Sequence, residues 1–112
     1  MRRVVITGAG TVNALAQDVP GTFAAMAEGR CGIGPLSFPD VERLSVQIGA
    51  QVQGWQPEAH FERGKLAFYD LFTQFALVAA AQAMAQAGLS AAPGDPTRWG
   101  CEIGRASCRE RV

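Results

Sequence analysis

The sequence predicts an α/β protein in which strands pack around a buried core helix, and three observations carry that expectation. From Asp70 to Leu89 apolar residues occupy nearly every side of a helical wheel: Phe72, Phe75, Val78, Ala79 and Ala83 line one side, and Leu71, Leu77, Ala80, Ala81, Met84 and Ala85 cover most of the rest. Arg3 to Gly10 (RVVITGAG) sets consecutive β-branched residues before a glycine turn, the pattern of a buried strand in a parallel sheet. The composition, 48% hydrophobic and 18% charged with 13 glycines, is that of a globular chain, neither disordered nor basic enough for nucleic acid.

A helix apolar around most of its circumference belongs in a protein core or in a membrane. A span needs about 20 mostly apolar residues, and this run reaches that length only by counting Thr73, many alanines and Gln74, Gln82 and Gln86, the glutamines of its narrow polar strip. A protein core is therefore expected and no membrane span. The apolar run after Arg2 and Arg3 is too short for a secretory signal, so the cytoplasm is the expected location. Three cysteines without paired spacing fit neither a disulfide framework nor a zinc site, and His60 is the single histidine.

In chain order, Gly8 and Gly10 shape a turn at a crowded strand end. A dinucleotide loop is the alternative, but Val12 and Ala14 stand where its further glycines would be. Pro20 to Glu28 reads as an amphipathic helix with Asp18 as N-cap and Gly29 as its stop. Gly29 to Asp40 is a structured loop, and Cys31 within it follows a helix C-terminus, where the dipole opposes a thiolate; it reads as structural. Val46 to Val52 alternates as an edge strand does, with Gly49 as a bulge. Gln56 to Lys65 is a polar segment bordered by Trp55, in which His60 is a surface residue. Gly88 and Leu89 end the core helix, a loop covers 90–97, and Trp99 to Ile103 starts a strand.

Taken in order, these features resemble the β-ketoacyl-[acyl carrier protein] synthases, condensing enzymes of the thiolase fold, and especially the type II elongation enzymes. Arg2 to Gly10 matches their opening strand and turn, and Gly29, Gly32 and Ile33 match the loop after their first helix, with Phe38 and Asp40 at its end. Asp70, Phe72, Gln74, Phe75, Ala76, Ala79 and Gln82-Ala83-Met84 resemble the family's D-F-x-Q-[YF]-x-x-x-A signature. The resemblance implies the N-terminal portion of a thiolase-like fold, a mixed sheet with a buried core helix, over residues 1–102. It implies decarboxylative elongation of acyl chains with malonyl-acyl carrier protein in fatty acid or polyketide-like biosynthesis, no cofactor, and a homodimer in the full-length enzyme. Ala14 and Ala16 depart from the family's Pro and Gly after the first turn. The family's basic segment for acyl carrier protein is thinned to Arg63 and Lys65. Its nucleophilic cysteine, two histidines and lysine lie further along, so no catalytic residue, cofactor site or metal site is assigned here, and this stretch alone is expected to be inactive.

Ile103 to Val112 (IGRASCRERV) does not resemble the family. It looks like a sequencing adapter read in translation: the codons ATC GGA AGA GCG TCG TGT AGG GAA AGA GTG would give these residues, and the adapter's next codon is a stop. Residues 103–112 are therefore expected to be non-native, which leaves the remainder mildly acidic. Two other classes stay open: a nicotinamide-dependent dehydrogenase, which nicotinamide binding would reveal, and a small non-catalytic interaction module, which cooperative folding as a monomer would favour.

Overall fold

The computed structural model describes residues 1–89 and 94–104. Helix α1 spans Val19–Ala27, strands β1 (Gly34–Pro35) and β2 (Ile48–Gly49) form an antiparallel pair, and a short helix α2 (Arg63–Leu66) precedes the long helix α3 (Leu71–Gln86). Single 3-10 turns lie at Val41–Arg43, Pro57–Ala59 and Pro96–Arg98.

Both longer helices end as their sequences require. In α1 the Gly21 N–H donates to Asp18 Oδ1 at 2.6 Å, and Pro20 sits in the first turn, where its missing N–H costs nothing. Gly29 (φ 70°) and Gly88 (φ 74°) adopt the left-handed conformation that closes each C-terminus. Gly29 N–H donates to Met26 O and Arg30 N–H to Ala25 O; Gly88 N–H donates to Ala85 O and Leu89 N–H to Met84 O, so both ends are Schellman caps.

The sheet is smaller than expected. The strand expected over Val46 to Val52 is reduced to Ile48–Gly49, with register Gly34↔Gly49 and Pro35↔Ile48. Beyond it Leu36 N–H still donates to Gln47 O, and the Gln51 amide takes both backbone groups of Ser37, at 2.9 and 3.1 Å, so a side chain does the work of another rung. Gly49 is not a bulge but a close approach: a Cβ there would lie 2.8 Å from Leu36 Cδ2.

Three further expectations are corrected. Arg3 to Gly10 joins no ladder, and Val4 (95% exposed) and Ile6 (90%) are open. A strand acquires its hydrogen bonds only from a neighbouring strand, and among the described residues the one sheet is the β1–β2 pair. Trp99 to Ile103 likewise forms no strand where it is described. Helix α3 is present within its expected bounds but is not buried all round: Gln74 and Val78 are buried, whereas Leu71, Phe72, Leu77 and Met84 are exposed. Among the described residues no helix is long and apolar enough to cross a membrane. Residues 90–93 of the expected loop and 105–112 of the expected non-native stretch lie outside the described residues.

Candidate functional site

The covered side of α3 carries Gln74, Val78 and Gln82. A Cβ on Gly8 would collide with the Ala83 carbonyl oxygen, and one on Gly10 with that of Ala79 and, at 2.9 Å, with Gln82 Cβ, so two glycines lie directly on the helix backbone. The periods match: two residues of extended chain advance about 6.8 Å, and four residues of helix about 6 Å. In the same register, Ala9 N–H donates to Gln86 Oε1 at 2.7 Å and Thr11 N–H to Gln82 Oε1 at 3.1 Å. Gln82 also donates through Nε2 to Gln17 O at 2.6 Å. Glycine removes the side chains that would hold the segment away, and the long amides then satisfy the N–H groups brought close.

Asn13 shapes the turn between this segment and α1. Its Oδ1 accepts from the N–H groups of Leu15 and Ala16, and its Nδ2 donates to the hydroxyls of Thr11 and of Thr22 on α1. This Asx turn holds the stretch where Ala14 and Ala16 depart from the family's Pro and Gly. The signal was present in the sequence, an Asn just past the glycine turn, but its partner Thr22 is distant enough to be invisible there. The open depression of about 350 Å³ lined by Ala9, Asp18, Val19, Pro20, Gln82 and Gln86 holds a single carboxylate, and Asp18 is committed to capping α1.

The segment ahead of α3 is organised by aromatic rings. Trp55 stacks on His60 (centroids 5.0 Å apart) and meets Phe75 edge-on at 4.9 Å, while Phe61 meets Tyr69 at 5.6 Å. Trp55 Nε1 donates to the buried Gln74 at 2.9 Å, and Gln74 Nε2 donates to Tyr69 O at 2.9 Å. Arg63 and Lys65 lie on α2 between these anchors; Lys65 Nζ is 3.9 Å from Glu62 Oε2, a loose pair in solvent.

Among the described residues no nucleophile is assembled. Cys31 is exposed beyond the end of α1, its Sγ only 3.9 Å from Ile33 O, Cys101 is exposed, and His60 is engaged by Trp55. Among the described residues no three His, Cys, Asp or Glu side chains gather as metal ligands. The face of the glycine turn that a pyrophosphate would approach in a dinucleotide loop is the kind of surface glycine leaves open, and here α3 fills it at Gly8 and Gly10.

Glycines and amides thus dock a chain segment on a long helix, and among the described residues no catalytic group is assembled around it. The chain belongs to the family described as beta-ketoacyl synthase, N-terminal domain, whose model matches residues 1–110. It is 40% identical over 103 residues to nodulation protein E of Rhizobium sp. (strain N33), and 34% and 33% identical over the same length to the 3-oxoacyl-[acyl-carrier-protein] synthase 2 of Coxiella burnetii and of Staphylococcus aureus (strain COL). In each case 92% of this chain aligns with 25% of the relative, so the chain spans about a quarter of the length of the relatives it matches.

Proposed function

We propose that the chain is the N-terminal part of a 3-oxoacyl-[acyl carrier protein] synthase, which elongates acyl chains by decarboxylative condensation with malonyl-acyl carrier protein. The observation that carries this reading is the continuous similarity to two 3-oxoacyl-[acyl-carrier-protein] synthases across 92% of the chain. In the whole enzyme a cysteine supplied by the rest of the polypeptide would take the acyl group as a thioester, and this part would supply framework. A mixed sheet that buries α3, a homodimer and a cytoplasmic location belong to the same reading. The test is acyl transfer. The chain alone, incubated with a labelled acyl-carrier thioester, should retain no covalent adduct, while the full-length enzyme should form one; a stable thioester on Cys31 would overturn the reading. The 40% identity to nodulation protein E supports a second, a nodulation-type relative of the same class. Product analysis of the intact enzyme separates them.

Arg63 and Lys65 are the acyl carrier protein contact in this reading. Both stand on α2 in solvent, and positive charge there would steer an acidic partner through the association rate, with strong salt dependence. Reversing both charges in the intact enzyme should raise KM for carrier-bound substrate severalfold at low salt, and an unchanged KM removes the contact. The family model's match runs on to residue 110, so the proposal that residues 103–112 are non-native rests on the adapter reading alone. Sequencing the locus downstream from a primer within the codons for Asp70 to Leu89 should give an open frame that departs from IGRASCRERV after Glu102; finding that stretch encoded in the genome refutes the proposal.

A further inference from the structure

We infer that Gln74 is a positioning residue for the surface that receives the acyl carrier protein, because one buried side chain closes the segment carrying Arg63 and Lys65 at both ends. The inference rests on the docking role proposed for those two residues. Upstream, Gln74 Oε1 accepts the Trp55 Nε1–H; downstream, Nε2 donates to the Tyr69 carbonyl, and the residue is only 6% exposed. A ring chain parallels this closure: Trp55 on His60, His60 beside Phe61 at 6.4 Å, and Phe61 against Tyr69. Residues 55–69 thus form a loop closed at both ends and packed by its own side chains, and α2 within it is exposed at Arg63, Gly64 and Lys65.

This closure has a functional consequence because α2 is a single turn and cannot hold its own shape. A helix of this length is formed in the free protein only as far as its surroundings impose it. A partner that binds the closed loop meets an apparent affinity lowered by the fraction of molecules in which the loop is open. Gln74 therefore sets how much of the charge pair is presented in one arrangement, without touching the partner.

The experiment compares Gln74→Met with the wild type in the full-length enzyme. Methionine keeps the length and packing of the side chain while removing the acceptor for Trp55 and the donor to Tyr69. KM for carrier-bound substrate should rise roughly threefold to tenfold, the worth of one or two hydrogen bonds, whereas kcat and turnover of a carrier-free pantetheine thioester should stay unchanged. Trp55→Phe, which opens only the upstream end and keeps a ring against His60, should give a smaller rise of the same sign. Equal losses with both substrates, or a wild-type KM in both variants, overturn the inference. The Arg63 and Lys65 charge reversal separates the layers: if it raises KM while both loop variants do not, the docking reading stands and the role of Gln74 fails; if the reversal is silent, the docking reading itself fails.

Discussion

The two sides of α3 are covered unequally. Its glutamine side is covered, with Gln74 buried and Gln82 bonded to two separate stretches of backbone, while Leu77, Ala80, Ala81 and Met84 on the other side are exposed. The difference shows what the polar strip is for. It is not a solvated face but the place where another part of the main chain lies against the helix. Burying a backbone N–H without a partner costs more than burying methyl groups gains, so the approach of the half-buried Thr11 requires acceptors that reach out from the helix. An alanine or leucine strip could not have supplied them.

The strongest way to break the covered side is to restore a side chain where none fits. Gly10→Val in the full-length protein should cost about 3 kcal/mol, at the upper end of overpacking, because the obstacle is the Ala79 carbonyl oxygen on the backbone of α3 and no rotamer avoids it. Gly34→Val is the control, since nothing lies within 4 Å of its Cβ position. Chemical denaturation of the two variants, with amide exchange at Ala9 and Thr11, makes the comparison; similar losses at both glycines would show that the contact is not what matters at Gly10.

A smaller loss should come from removing the amides while keeping the glycines. Gln82→Met leaves the Thr11 N–H and the Gln17 carbonyl without their partner in a half-buried setting, for about 2 kcal/mol. Gln86→Met removes one exposed bond to Ala9 and should cost about 0.5 kcal/mol. Both side chains hold the same short segment, so the double variant should lose less than the two single losses combined once that segment has come away. Strict additivity would mean the two bonds report on independent contacts.

Legibility in the sequence divides along the same line. The Asp18 cap, the glycine stops at Gly29 and Gly88 and the bounds of α3 were legible because each depends on residues within one or two turns of one another. The family was legible too, from the order of short motifs, and the matching family model agrees with it. The strand at Arg3 to Gly10 was not, because β-branched residues state a preference while a ladder needs a neighbour. Gly8 and Gly10 read as a crowded turn, yet what crowds them lies some seventy residues on. Likewise the spacing of Gln74, Gln82 and Gln86 showed a strip but not that main chain would cover it. Arg63 and Lys65 are exposed on α2, ahead of α3.

The bare side of α3 should give the smallest effect on stability and the clearest one on association. Leu77→Gln with Met84→Gln replaces two exposed apolar side chains, and in residues 1–102 expressed alone the change should stay within about 0.5 kcal/mol, since neither side chain is buried to begin with. Yet the two belong to a contiguous apolar side that carries no charge to discourage pairing, and Phe72 and Leu71 extend the exposed apolar surface at its N-terminal end. The unsubstituted stretch should therefore sediment as a concentration-dependent mixture of species, and the double variant should shift that mixture toward monomer. Gln82→Met supplies the contrast, because it loosens the covered side and leaves the bare one intact: it should lower stability without relieving association. If instead the unsubstituted stretch is a monomer with a sharp cooperative melt, the exposed side of α3 is tolerated by water, and the contrast between its two sides carries no energetic weight.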